Sequence, residues 1–157
     1  MRRREFIAVL GGAAAWPVVA RGQQAGKVWR VGFLTPRSLP VPSGHDVFSD
    51  AFIQGMSELG YSEGSNLVVE WRYANGDYTR LAGFASELVE MRLPVIVTYG
   101  TAAASVLQKT TSTIPIVVAA AVDLVGAGIV ASLAHPGGNI TGLSVIDADI
   151  RGSSSNC

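Results

Sequence analysis

Six residues have types and positions suited to gripping a small ligand: Thr35, Tyr99, Gly100, Thr101, Ala102 and Asp123. Thr35 closes an apolar run. Thr101 opens a helical stretch whose first amides can receive a carboxylate, and Gly100 before it lets another group approach the backbone closely. Thr also caps helices as a matter of course, so an ordinary cap is an equal reading of the same residue. Asp123 can hold an amine or cap the segment after it, and Tyr99 can stack on a ligand or simply pack at its strand end.

Catalytic and metal constellations are harder to find. His45 and His135 stand alone, with no Cys or carboxylate cluster of ligand spacing around either. Ser43-Gly44-His45-Asp46 does not follow a strand in the way a nucleophile elbow must. Cys157 is the single cysteine and forms no internal disulfide. No metal and no cofactor is therefore expected, with one rival to weigh. Gly126-Ala-Gly128-Ile-Val-Ala131 matches the dinucleotide fingerprint, and Asp147 follows about 20 residues on. The fingerprint belongs after a first strand, whereas the turn after Leu34 has no Gly pair and several residues separate Ala121 from Gly126. An exported NAD-binding oxidoreductase fragment using Gly126 and Gly128 is the alternative reading.

Residues 1–22 are set aside from the fold. A basic start, the short apolar stretch Ile7–Ala20 and small residues at Ala20 and Gly22 make an export signal, with cleavage expected after Gly22. The stretch is shorter than the ~20 residues of a spanning helix. Arg3 and Arg4, followed by Phe6 and Ile7, fit the twin-arginine pattern, and the Gly- and Ala-rich stretch behind them is only mildly apolar. A periplasmic location and a twin-arginine translocase as partner are the expectation. With the signal gone, 8 basic residues face 11 acidic ones, because Arg2, Arg3, Arg4, Arg21 and Glu5 leave with it. A mildly acidic chain has no electrostatic footprint for nucleic acid.

The remainder alternates between two periodicities. Val31–Leu34 reads as a buried strand, and Phe48, Phe52, Met56 and Leu59 follow at helical spacing before Gly60. Leu67 to Tyr73 alternates with period two. Asp77 is placed to cap a helix carrying Leu81, Phe84, Ala85, Leu88 and Val89. Pro94–Tyr99 is a strand, Thr101 to about Lys109 a third helix, and Ile114–Ala121 a fourth strand. Val125–Ala134 is expected as a fourth helix, stopped by His135-Pro-Gly-Gly, before a last strand at Ile140–Val145. Five strands separated by helices imply an α/β fold: a doubly wound, mostly parallel five-stranded sheet, binding ligands beyond its carboxyl edge.

Five segments in order, RRREFIAVLGGAAAWPVVARGQQ, FIQGMSELGYSEGSNLVVEWRYANGDYTRL, VIVTYGTAAA, STIPIVVAA and VASLAHPGGNITGLS, give the chain a family likeness. It resembles the ABC-transporter substrate-binding family that includes tryptophan- and other amino-acid-type binding proteins of the type 1 periplasmic fold. The resemblance implies a non-enzymatic, two-lobed protein that closes on a small solute, amino-acid-like or a related organic acid, and passes it to ABC permease subunits. It implies that residues 23–146 are the N-terminal, Rossmann-like lobe, with the corner at Thr35, Gly100, Thr101 and Ala102 taking the acidic end of the solute. Two departures stand out. Val122-Asp123-Leu124-Val125 replaces the family's Gly-Asp-Pro-Val, and residues 147–157 form a polar tail unlike the family, as a truncated or frame-shifted gene would give. A lone lobe is expected to bind its solute weakly.

Overall fold

The computed structural model describes residues 26–39 and 46–145. The segment expected to be an export signal, with Arg3, Arg4 and Phe6, the residues Ser43, Gly44 and His45, and those from Asp147 to Cys157 lie outside the described residues.

Five strands build one sheet: β1 (Trp29–Thr35), β2 (Leu67–Tyr73), β3 (Ile96–Thr98), β4 (Ile116–Val122) and β5 (Ile140–Val145). Three helices connect them: α1 (Val47–Glu58), α2 (Arg80–Glu90) and α3 (Thr101–Thr110). The strands lie in the order β2-β1-β3-β4-β5, every neighbouring pair parallel. The expected doubly wound α/β sheet is what the chain forms.

Parallel strands are buried on both sides, which is why β1, β3 and β4 read as continuous apolar runs. On one face Leu34, Ile96, Ile116 and Val118 meet Leu81, Ala85 and Leu88 of α2 and Ala103, Ala104 and Leu107 of α3. On the other, Val31, Phe33, Leu67, Val69 and Val97 meet Phe52, Ile53 and Met56 of α1. Phe33 is the hub there, 5.3 Å from the Phe52 ring and 4.8 Å from that of Trp71. Among the described residues α1 is the one helix on this face. It covers the β1–β2 half, leaving Leu143 and Val145 of β5 at 71% and 59% exposure. Gly142 is required where β4 bulges between Val118 and Ala121, since a Cβ there would run into the Val118 carbonyl.

Four local expectations need correction. No helix forms over Val125–Ala134. The chain makes a single turn instead, Gly128 taking φ +69° while its amide reaches the Val125 carbonyl and the Ile129 amide that of Leu124. That pair of bonds is a Schellman closure, which ends a helix as soon as it starts. Leu124, Ile129 and Val130 are buried even so, so the apolar spacing came from a packed loop rather than a helix face. Second, α2 starts at Arg80 with Thr79 at its cap. The Asp77 carboxylate instead accepts from the Thr79 amide and hydroxyl, fastening the turn that leads in. Third, Phe48 of α1 and Leu59 at its C-cap are exposed at 40% and 74%, so the helix buries a narrower stripe than its sequence suggests. Fourth, Thr101 does not cap α3; that position belongs to Gly100.

Candidate functional site

In this strand order the direction of winding reverses between β1 and β3, and ligands of doubly wound sheets bind in the crevice beyond the carboxyl ends at that point. Thr98 fastens the two strands there by donating its hydroxyl to the Leu34 carbonyl at 2.8 Å. Thr35 ends β1 fully buried, with its Oγ1 accepting the Arg37 amide at 3.2 Å, and so sets the path of the loop. That loop is held from the far side as well: the Asn75 amide donates to the Arg37 carbonyl, and the Leu39 amide donates to the Asn75 side chain at 2.9 Å.

Beyond β3 the chain turns sharply into α3. Gly100 has φ +87° and ψ 149°, a region essentially confined to glycine that costs other residues roughly 1–3 kcal/mol, and its amide donates to the Ala120 carbonyl at 2.9 Å. The Thr101 hydroxyl donates to the Val122 carbonyl at 2.8 Å, tying the start of α3 to the end of β4. The first amide to find an acceptor within the helix is that of Ala104, on Gly100. The amides of Thr101, Ala102 and Ala103 precede it, as at every helix start, and carry the positive end of the helix dipole. Beside them lies a shallow pocket of about 130 Å³, lined by Tyr99, Gly100, Thr101, Ala120, Ala121, Val122 and Val145.

Tyr99, Gly100 and Thr101 therefore share one pocket, whereas Thr35, Ala102 and Asp123 do not line it. Asp123 follows Val122 in a left-handed conformation (φ +47°), and its exposed carboxylate accepts the Gly126 amide at 2.8 Å. It caps the Schellman turn, and the absent flanking Gly and Pro do not prevent a tight turn here. Gln108 of α3 clamps that turn by donating to the carbonyls of Gly128 and Ile129, each at 3.1 Å. Gly126 and Gly128 thus sit in a turn with no helix after it, so the strand–turn–helix context of a dinucleotide site is absent. Among the described residues no group of three His, Cys, Asp or Glu stands close enough to hold a metal.

The sequence reading passed over a neighbouring cluster. Asp46 is buried at the start of α1, where its Oδ1 accepts the amides of Phe48 and Ser49 at 2.8 and 3.0 Å. Its Oδ2 takes the Arg37 Nε at 3.1 Å. The guanidinium lies 4.8 Å from the centre of the Phe48 ring and 6.0 Å from that of Tyr99, and the two rings are 4.3 Å apart at 36°. The sequence signal was an arginine just past the carboxyl end of β1 in a Pro-rich loop. Phe48 was hidden by its helical spacing.

The profile of the family described as "ABC transporter substrate binding protein" matches residues 42–151. The chain belongs to that family. Within it, the chain is 33% identical over 99 residues to a tyrosine-binding protein of Clostridioides difficile (strain R20291), a match spanning 63% of this chain and 29% of that protein. A conserved domain protein from Vibrio cholerae superposes with a TM-score of 0.69 at 33% identity, over 76% of this chain and 40% of the other. An ABC domain from Streptococcus pneumoniae, solved in complex with L-Trp, gives 0.67 at 30% identity, over 75% of this chain and 39% of the other. The chain thus spans well under half the length of these family members, and the curated one is a binding protein.

Proposed function

We propose that residues 23–146 are one wall of an extracytoplasmic solute-binding site that serves ABC permease subunits, with no chemistry performed on the solute. The pocket at the carboxyl ends of β3 and β4, beside the first turn of α3, carries this reading. Its floor is apolar and its rim offers free amides at a helix N-terminus, which suits an amino-acid-like or related organic acid. On this reading Gly100, Thr101 and Ala102 receive the acidic end through their backbone. Tyr99 contributes a ring, Asp123 offers its exposed carboxylate to an amine from just outside the pocket, and Thr35 shapes the loop behind them. In a protein of the relatives' length a second lobe closes over this wall. Residues 1–22 carry the export signal that brings the chain to its solute, through a twin-arginine translocase.

Nuclear magnetic resonance titration of the chain with millimolar amino and organic acids tests the binding. Shifts are expected at the amides of Tyr99 to Ala102 without a multi-degree rise in melting temperature, because one wall supplies only part of the contact. Tight binding by this chain alone, or no acid moving those amides, defeats the reading. Export is tested by fusing residues 1–22 to a reporter: changing both Arg3 and Arg4 to Lys should abolish it if the twin-arginine route is right.

A further inference from the structure

We propose that Arg37 is the charge anchor of this site, taking the carboxylate of the solute on the outer edge of its guanidinium while the solute's side chain lies on Tyr99 and reaches into the apolar pocket. The inference rests on the solute-binding reading above but moves the acidic end from the first turn of α3 to Arg37, and it narrows the solute to carboxylic acids with an apolar or planar side chain.

Three observations carry it. First, Arg37 is oriented in advance. Asp46 holds Nε, the α1 amides hold Asp46, and Phe48 backs the guanidinium. An arginine fixed this way loses little freedom on gripping a ligand. Second, only one edge of the fork is used. Asp46 is engaged at Nε, and among the described residues neither Nη atom has a hydrogen-bond partner, while the side chain is 44% exposed. The Nη1–Nη2 edge has the geometry that matches a carboxylate with two parallel bonds. The charge of Asp46 is shared with two helix amides, so the pair does not cancel the cation outright. Third, Phe48 is a large apolar residue left 40% exposed at this spot. Its ring touches the Tyr99 ring, and Tyr99 is at once a wall of the pocket. Phe48 is a positioning residue: its ring backs the guanidinium at 4.8 Å and keeps Arg37 beside Tyr99. With its acid on Arg37 and its side chain on Tyr99, a solute with one acidic and one apolar end takes a single orientation.

The test is an NMR titration of the full chain with 3-phenylpropionate, which has acid and ring, and phenethylamine, which has ring and amine but no acid. The wild-type chain is expected to bind the acid about tenfold more tightly, as one charge-assisted bidentate contact provides. The Arg37 Nε–H and the Tyr99–Thr101 amides should shift together. In Arg37→Met, which keeps a chain of similar length over Phe48, the preference should vanish, and Arg37→Lys should recover part of it. If Arg37→Met keeps the tenfold preference while the Tyr99–Thr101 amides still move, the anchor is wrong and the binding reading survives. If neither compound moves those amides in the wild type, both fall together.

Discussion

Replacing Asp46 separates two jobs that one carboxylate performs. In Asp46→Ala the amides of Phe48 and Ser49 lose their acceptor, and an N-cap of this kind is worth about 1 kcal/mol. The ion pair with Arg37, whose side chain is 44% exposed, adds about 0.5 kcal/mol. The expected total is about 1.5 kcal/mol, and at ~2–4 °C per kcal/mol for a chain of this size the melting temperature should fall by about 3–6 °C. Asp46→Asn keeps a side-chain oxygen for both amides, because Asn caps as well as Asp, and loses only the charge. It should cost about 0.5 kcal/mol, or about 1–2 °C. Urea midpoints of the three proteins, measured at one pH and salt concentration, give the comparison directly. The two contributions also separate by salt: the Ala–Asn gap should persist at high ionic strength, while the Asn–wild-type gap shrinks. Equal damage from Asn and Ala would refute the reasoning, since the loss would then lie in the charge rather than the cap. So would an Ala variant as stable as the wild type.

Two further outcomes follow from packing and titration. Gly142→Ala should destabilise by about 1–3 kcal/mol in urea unfolding, because the added methyl meets the Val118 backbone at the β4 bulge, which moves less readily than a side chain. Tyr73 should make stability fall in alkali. Burial holds its phenol above the ordinary value of 10.0, against the pull of its hydrogen bond with Ser49, and the charges of Asp46, Asp50 and Glu63 add to the rise. A group whose folded value is raised contributes fully below about pH 10 and loses that contribution as the pH climbs through the folded value. Urea midpoints of wild type and Tyr73→Phe should differ by a constant amount up to about pH 9 and converge above pH 10.

Periodicity revealed the strands, the helices α1 to α3 and the parallel sheet, because a core buried on both faces writes itself as apolar runs and 3.6-residue stripes. The same signal failed at Val125–Ala134. Leu124, Ile129 and Val130 are buried at spacings a helix would use, yet Gly128 in a left-handed conformation halts the helix after one turn. Apolar spacing reports burial, and only the backbone bonds decide what shape is buried. The site was partly legible for a related reason. Gly100 and Thr101 stand out because a strand-to-helix corner needs a particular backbone. Arg37, Asp46 and Phe48 come from the loop after β1 and the start of α1, and nothing in the local sequence says that Arg37 and Phe48 meet Tyr99 while Asp46 holds the arginine.

The bulge beside β5 bears on the pocket as much as on the sheet. β5 is held along one side only among the described strands, and its ladder to β4 is interrupted between Val118 and Ala121. Val145, near the end of that ladder, is also a wall of the pocket. One side of the recess therefore rests on an edge strand with an interrupted ladder, and the other on Gly100 and Thr101, which bond to the carbonyls of Ala120 and Val122 in β4. The aperture of the recess should follow the movement of β5, so that its width is set by the rim of the sheet rather than by α3.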